Sequence, residues 1–257
     1  GTTGNVTIDV AFISDFHGHL KNGAAGTVCT VNSLRAANPD TVVLSNGDAV
    51  GGSAFESAVL GDEPTLQFLN DWLELDASNL GNHEFDKGFV DLVDRIDLAA
   101  ASFDYISANV SGTSNGRTAD FEPYYLYTAQ AGTENEVTIA FVTTTTPETP
   151  SLVSPDGVAG LTFGNVYDTT NAQAALLKDA DDANGEADVV IAMTHYGHGA
   201  LTAGSFSGDV DAVFTGHTHQ SFTGTITNAA GTAIPVIEPH EYGKGVGHLQ
   251  LVVDPES

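Results

Sequence analysis

The chain has 257 residues, 41% of them hydrophobic, enough to bury a sizeable core in one large domain or two small ones. Its 34 acidic residues against 7 basic ones give a formal net charge of −27, which speaks against nucleic acid or anionic lipid as a partner and suits a secreted protein or one from a salty environment. The single cysteine, Cys29, rules out an intrachain disulfide, and no apolar run reaches the ~18 residues that a membrane-spanning helix needs.

Residues 6–14 predict a strand that ends at Asp15. The Gly-rich residues 18–27 read as a loop and 28–37 as a helix stopped by Asn38-Pro39, with Cys29 in it as a small buried apolar residue. Residues 41–45 form a short buried strand before Asn46-Gly47-Asp48, and 49–62 a Gly- and Ser-rich connection with some helix. A helix over 64–72 carries Pro64 in its first turn, and a strand over 73–79 leads into Gly81-Asn82-His83-Glu84-Phe85-Asp86. Phe89, Leu92, Val93 and Ile96 have helical spacing, so 87–98 is an amphipathic helix. The middle is more β-like: a strand over 104–108, a polar loop over 111–120, and strands 123–129 and 136–143 joined as a hairpin. An irregular stretch over 144–165 precedes a helix at 168–182. Strands follow at 187–194, ending at His195, and at 210–215, ending at Gly216, with three more at 221–227, 234–238 and 246–253. No internal repeat or low-complexity linker interrupts the chain, and we expect residues 1–257 to form one domain of mixed sheets with helices outside.

The chemistry concentrates in five short clusters: Asp15-Phe16-His17, Gly47-Asp48, Gly81 to Asp86, Thr194-His195 and Gly216-His217-Thr218-His219. Taken singly, each has an ordinary explanation as a cap, a turn or a satisfied core histidine. Gly-His-Thr-His is harder to dismiss, since two imidazoles two residues apart face the same side of an extended segment. Jointly the clusters follow predicted strands, where α/β folds place their chemistry, and each offers carboxylate, imidazole or amide oxygen, the donors of first-row divalent metals. Four imidazoles, two aspartates and an asparagine suit a centre of two ions, which sit roughly 3.5–4 Å apart in dinuclear sites.

Asp15-x-His17, Gly47-Asp48, Gly81-Asn82-His83-Glu84, His195 and Gly216-His217-x-His219, in that order, resemble the signature of the calcineurin-like metallophosphoesterases. Phe85-Asp86 and Tyr242-Gly243-Lys244-Gly245-x-Gly247 narrow the resemblance to the 5′-nucleotidase branch, which includes bacterial UDP-sugar hydrolases. The resemblance covers residues 6 to 253 and implies an α/β fold, a four-layer α/β/β/α sandwich with two mixed sheets. It implies that Asp15, His17 and His219 hold one ion, that Asn82, His195 and His217 hold another, and that Asp48 bridges them. The ions would be Zn, Mn, Fe, Co or Ni. A metal-bridging hydroxide would attack phosphorus. Asn82 and His83 would contact the substrate, His83 as electrostatic stabiliser or general acid, with Asp86 orienting it. His19 and His198 would hydrogen-bond a ligand or the substrate, Glu84 would bond backbone amides, and Gly47, Gly81 and Gly216 would let the backbone turn tightly.

The implied activity is metal-dependent hydrolysis of a small-molecule phosphomonoester, a nucleoside 5′-phosphate or related nucleotide, by a secreted, periplasmic or cell-surface protein. Alternatives are a phosphodiesterase or pyrophosphatase acting on cyclic nucleotides or nucleotide sugars, and a non-catalytic secreted binding module of the same fold. The resemblance implies that members of this branch continue into a second, nucleotide-binding domain; residues 1–257 are expected to hold the catalytic domain alone, whether that second domain was removed or is naturally lacking. Arg35, Arg95 and Arg117 lie outside the metal motifs, so no guanidinium clamp for phosphate is evident, and substrate binding by this chain alone is expected to be weak and broad.

Overall fold

The computed structural model describes residues 4–255. In chain order the elements are β1 (Val6–Ile13), α1 (Leu20–Ala37), β2 (Thr41–Ser45), α2 (Phe55–Ala58), α3 (Glu63–Asp71), β3 (Ala77–Asn79), α4 (Phe89–Asp91), β4 (Asp104–Ile106), β5 (Val110–Ser114), β6 (Arg117–Thr118), β7 (Tyr124–Ala129), β8 (Val137–Thr145), α5 (Thr149–Leu152), β9 (Leu161–Phe163), α6 (Val166–Leu176), β10 (Val189–His195), β11 (Ala212–Phe214), β12 (Ser221–Thr227), β13 (Ala233–Pro239) and β14 (Gly247–Val253).

Two mixed sheets form the centre. The first has the order β14-β1-β2-β3-β4, with only β14 antiparallel to its neighbour. The second has the order β12-β13-β11-β10-β8-β7, with a parallel middle and an antiparallel strand at each edge. A small sheet, β6-β5-β9, lies beside them.

Three apolar clusters separate four layers. Along β1, Val6, Ile8, Val10 and Phe12 face the second sheet, meeting Ile139, Phe141, Ile191, Met193 and Phe214. The alternate residues Ala11 and Ile13 face outward onto Val31 of α1 and Leu66 and Leu69 of α3. Likewise Val189, Ile191 and Met193 of β10 face the middle, while Val190 and Ala192 pack outward with Ala174 of α6 and with Phe206. This is the two-residue alternation of strands buried on both faces, and it gives the expected α/β/β/α order. Phe12 stacks on Phe214 across the middle, with centroids 4.1 Å apart.

Several local expectations are corrected. Residues 20–27 are helix, not loop. Gly23, Gly26 and four β-branched residues make α1 a poor helix by propensity, but Gly23 is required because a Cβ there would lie 2.3 Å from the Tyr242 carbonyl. Thr27, Thr30 and Ser33 turn their hydroxyls back onto carbonyls four residues earlier. Cys29 is exposed on this helix rather than buried. Residues 73–76 are not strand: α3 is followed by a turn with Glu74 at φ 49°, and Asp76 accepts the Val43 N–H at 2.7 Å. The 111–120 loop contains the β5–β6 hairpin, turned at Asn115-Gly116, both with positive φ. Within 144–165, β8 runs on to Thr145, and α5 and β9 follow. The helix after α4 winds with the wider π repeat over Leu92–Ala100, and α6 ends at Leu176, short of residue 182.

Candidate metal centre and active site

β1, β2 and β3 run parallel, so Asp15, Asp48 and Asn82 leave the same edge of the first sheet. β10 and β11 bring His195, His217 and His219 to the matching edge of the second. Buried amides join the two edges. Asn46 Nδ2 donates to the Thr194 carbonyl at 2.9 Å, and Asn79 Nδ2 donates to the carbonyls of Thr144 at 2.9 Å and Met193 at 3.2 Å. The His217 N–H donates to Asp15 Oδ2 at 3.0 Å, and Ser14 Oγ donates to the same oxygen.

Five of the seven candidate ligands, Asp15, His17, Asp48, His217 and His219, have φ between 48° and 70°. Non-glycine residues avoid this region, and such conformations cluster where the surrounding structure fixes a functional group. Gly47 has φ 91°, as a tight turn requires, whereas Gly81 is needed for close approach: a Cβ there would lie 2.1 Å from Asp48 Oδ1.

Asp15, His17 and His219 offer donor atoms within 4.8 Å of one another, as do Asp48, His195 and His217. Asp48 lies between the groups: its Oδ2 is 3.6 Å from His17 Nε2 and 3.0 Å from His195 Nε2. Asp15 Oδ1 is 3.3 Å from His219 Nε2. His17 Nδ1 contacts the Gly51 carbonyl and His195 Nδ1 the Asn46 carbonyl, each at 2.7 Å. That contact makes Nδ1 the protonated atom and leaves Nε2 to face the centre. Asp15 Oδ1, His17 Nε2, Asn82 Oδ1 and His195 Nε2 are buried without a hydrogen-bond partner. Buried polar atoms without a hydrogen-bond partner are costly, and carboxylate, imidazole and amide lone pairs are what a divalent cation takes. The residues present fit a metal centre.

Electrostatics agree. Burial alone would raise the Asp48 carboxyl, but His195 and His17 beside it hold it well below the usual range. Burial, reinforced by the Asp48 charge, pushes Glu84 up to about 7. Burial opposes charge on His195, yet Asp48 and Asp15 lift it to about 10.

His83 lies within 4.8 Å of His17 and Asp48 but stands apart in exposure, at 35% against 0% for His195. Its Nδ1 is 2.9 Å from Asp86 Oδ2, which also accepts the Gly52 N–H. The Asp86 hydrogen bond raises His83 to about 9. Glu84 accepts the N–H groups of Gly81, Asp48, Ala49 and Val50, and so ties the Asp48 segment to the Asn82 segment.

His19 and His198 lie at the margins. His19 stacks on Tyr242 at 3.8 Å, and the Tyr242 ring edges onto His17 and His219. His198 Nδ1 is 2.6 Å from Glu238 Oε2. The three arginines are engaged elsewhere, Arg35 with Glu74, Arg95 with Asp91 and Arg117 with Asp94. Sequence reasoning missed Asn46, Asn79, Tyr242 as a ring against the imidazoles, and Glu238. For Glu238 the available signal was a carboxylate inside the apolar run Val236-Ile237-Glu238-Pro239.

The family described as Calcineurin-like phosphoesterase matches residues 8–221, a span that includes all seven candidate ligands. The 5′-nucleotidase of Bos taurus is 28% identical over 254 residues, 90% of this chain and 41% of that protein. Endonuclease YhcR of Bacillus subtilis (strain 168) is 25% identical over 272 residues, 98% of this chain and 20% of that protein. The chain therefore spans less than half the length of either relative. Among solved structures, the NAD nucleotidase NadN of Haemophilus influenzae has a TM-score of 0.80 at 21% identity, over 99% of this chain and 48% of that one. The calcineurin-like phosphoesterase YfkN of Bacillus subtilis has a TM-score of 0.76 at 23% identity, over 96% and 85%. At these identities the structural likeness is one of fold, and it is the sequence match over most of the length that decides descent: this chain belongs to the calcineurin-like phosphoesterase family.

Proposed function

We propose that residues 1–257 act as one catalytic domain, a metal-dependent phosphomonoesterase that hydrolyses nucleoside 5′-phosphates or related nucleotides at a centre of two ions. The observation that carries this reading is the set of buried, unpaired donors on Asp15, His17, Asn82 and His195 that converge from both sheets around Asp48. The family uses divalent metals, and the bovine relative is named a 5′-nucleotidase. In this reading Asp15, His17 and His219 hold one ion, Asn82, His195 and His217 hold the other, and Asp48 serves both. The nitrogen and oxygen donors admit Zn, Mn, Fe, Co or Ni.

Bound there, the ions supply charge neutralisation at the phosphoryl oxygens and an acidified water as nucleophile. The chain supplies the rest. Gly51 and Asn46 carbonyls fix the His17 and His195 rings. Asn82 and His83 contact the phosphoryl group. With Nδ1 engaged by Asp86, His83 has Nε2 left to donate, and at neutral pH it carries the proton that the leaving alkoxide needs. We place the protein outside the cytoplasm, secreted, periplasmic or at the cell surface, on its acidic composition and the company of a snake venom 5′-nucleotidase.

The test is a chelator-stripped protein reloaded with each metal and assayed on AMP, an aryl phosphate, a cyclic nucleotide, a UDP-sugar and single-stranded DNA. We expect metal-dependent hydrolysis of AMP and the aryl phosphate, with weak base preference. His83→Ala should lower turnover about 10²–10⁴-fold with both ions retained. Turnover confined to the cyclic nucleotide, the UDP-sugar or DNA would overturn the monoesterase reading. Binding of AMP without turnover under any metal would make the chain a binding module.

A further inference from the structure

Glu84 ties together the ligand segments of the first sheet. The second sheet supplies His195 as the last residue of β10, where the following loop begins, and His217 and His219 on the loop after β11, and no recognised motif accounts for how those two loops are held against each other. Between them lies Glu238, near the end of β13 and 2% exposed. Five donors converge on its carboxylate. Oε2 accepts the His198 N–H at 3.0 Å, His198 Nδ1 at 2.6 Å and the Thr215 hydroxyl at 3.4 Å. Oε1 accepts the Thr218 hydroxyl at 2.6 Å and the Gln220 N–H at 3.1 Å.

Those donors belong to the ligand loops. His198 follows His195 by three residues, and Thr218 stands between His217 and His219. The loops also touch directly: a Cβ on Gly197 would lie 2.3 Å from Thr218 Cγ2, so only glycine allows the approach. The outer part is braced as well, with the His198 ring stacked on Phe222 at 4.1 Å and 6°.

We infer that Glu238 is a positioning residue for the metal centre, one carboxylate that sets the His195 loop against the His217–His219 loop as Glu84 sets Asp48 against Asn82. The inference rests on the two-ion reading above. Glu238 acts only through the ligands. Its chemistry is specific: the backbone N–H groups of His198 and Gln220 point at different oxygens. Glutamine has one acceptor oxygen, so it can hold one loop while its NH₂ confronts the N–H of the other. The effect on the two ions should be unequal. The ion held by Asn82, His195 and His217 takes two ligands from the clamped loops, and the ion held by Asp15, His17 and His219 takes one.

Wild type, Glu238→Gln, Glu238→Ala and Thr218→Val are stripped with chelator and titrated with Mn²⁺ by calorimetry, with thermal melts of each metal-free form. Wild type should bind two ions. Glu238→Ala should weaken one site about 10–100-fold, the usual consequence of losing a residue that orients a ligand, and the other site less. Glu238→Gln and Thr218→Val should fall in between. AMP turnover of the variants should recover at high Mn²⁺ with little change in KM, a rescue that general unfolding would not give. Variants that bind both ions with wild-type affinity would overturn the inference. If Glu238→Ala does not fold, Glu238→Gln and Thr218→Val decide the question the same way. A wild type that takes up fewer than two ions would instead overturn the two-ion reading, and the clamp with it.

Discussion

His195 Nε2 lies 3.0 Å from Asp48 Oδ2, so under the proposed two-ion reading a proton and a metal ion would compete for the same atom. Without metal, Asp48 and Asp15 overcome burial and hold His195 at about 10, above its ordinary 6.5, and the Asp86 hydrogen bond holds His83 at about 9. A raised imidazole contributes stability that is complete below 6.5 and disappears as pH climbs through the folded value. Glu84, pushed by burial from 4.5 to about 7, acts in the same direction: its contribution is complete below 4.5 and lost as pH passes 7. Asp48, held low, contributes equally at every pH above its ordinary 3.8. The metal-free protein should therefore melt lower at pH 8.5 than at pH 5.5, by on the order of 5 °C given about 2–4 °C per kcal/mol for a domain of this size. Saturating divalent metal should remove most of that fall, because the ion takes the place of the proton and its binding is favoured as pH rises. Melting curves in chelator and in metal at both pH values check this. A chelated protein whose melting temperature does not change between them would show that these groups do not titrate differently in the folded and unfolded states.

Elements carry the site through their ends, and α1 shows how a poor local sequence is kept for that purpose. Gly23 and Gly26 lie on one helix and have equal propensity, yet only Gly23 meets the Tyr242 loop, and nothing lies within 4 Å of a Cβ on Gly26. Gly26→Ala should stabilise the protein by about 0.5–1 kcal/mol. Gly23→Ala should gain the same propensity but destabilise by about 1–3 kcal/mol overall, because the added carbon must displace backbone. It should also weaken metal binding, since Tyr242 packs on His17 and His219. Denaturant melts of the two variants separate these effects, and equal shifts would show that the contact has no energetic weight. The same pair explains what the sequence could and could not reveal. The candidate metal motifs could be picked out because their chemistry is packed into a few residues after apolar strands: Asp15-x-His17 or Gly-His-Thr-His alone has an ordinary explanation, but five such clusters in order form a pattern. The first turns of α1 were illegible because their helix is stabilised by packing against β1, β2 and α3, and because Gly23 answers to a backbone more than 200 positions later. Glu238 was illegible because its five donors come from segments that only the folded second sheet brings together. The sandwich itself could be expected only through the family resemblance, because alternation within each strand says that both faces are buried but not which strands share a sheet.

At the scale of the whole molecule, the net charge of −27 is distributed over a fold whose few cations are already committed. Five of the seven basic side chains, Arg35, Arg95, Arg117, Lys178 and Lys244, pair with carboxylates, and exposed pairs of this kind each contribute only ~0–1 kcal/mol. The remaining acidic surface repels itself and opposes the compact state. Screening should relieve this: the Debye length falls from about 30 Å at 0.01 M ionic strength to about 8 Å at 0.15 M. We expect the melting temperature of the metal-loaded protein to rise by several degrees as NaCl increases from about 0.01 to 1 M, with most of the rise below about 0.2 M. The shape of the curve identifies the cause, since a salt that acted by exclusion from the surface would go on stabilising in proportion to its concentration. Reversing surface charge at sites away from the metal centre, for example Asp71→Lys with Glu134→Lys, should raise the low-salt melting temperature and flatten the salt response. A salt-independent melting temperature, or a rise that continues undiminished to 1 M, would show that self-repulsion does not limit this fold and that its acidic surface has no electrostatic cost to relieve.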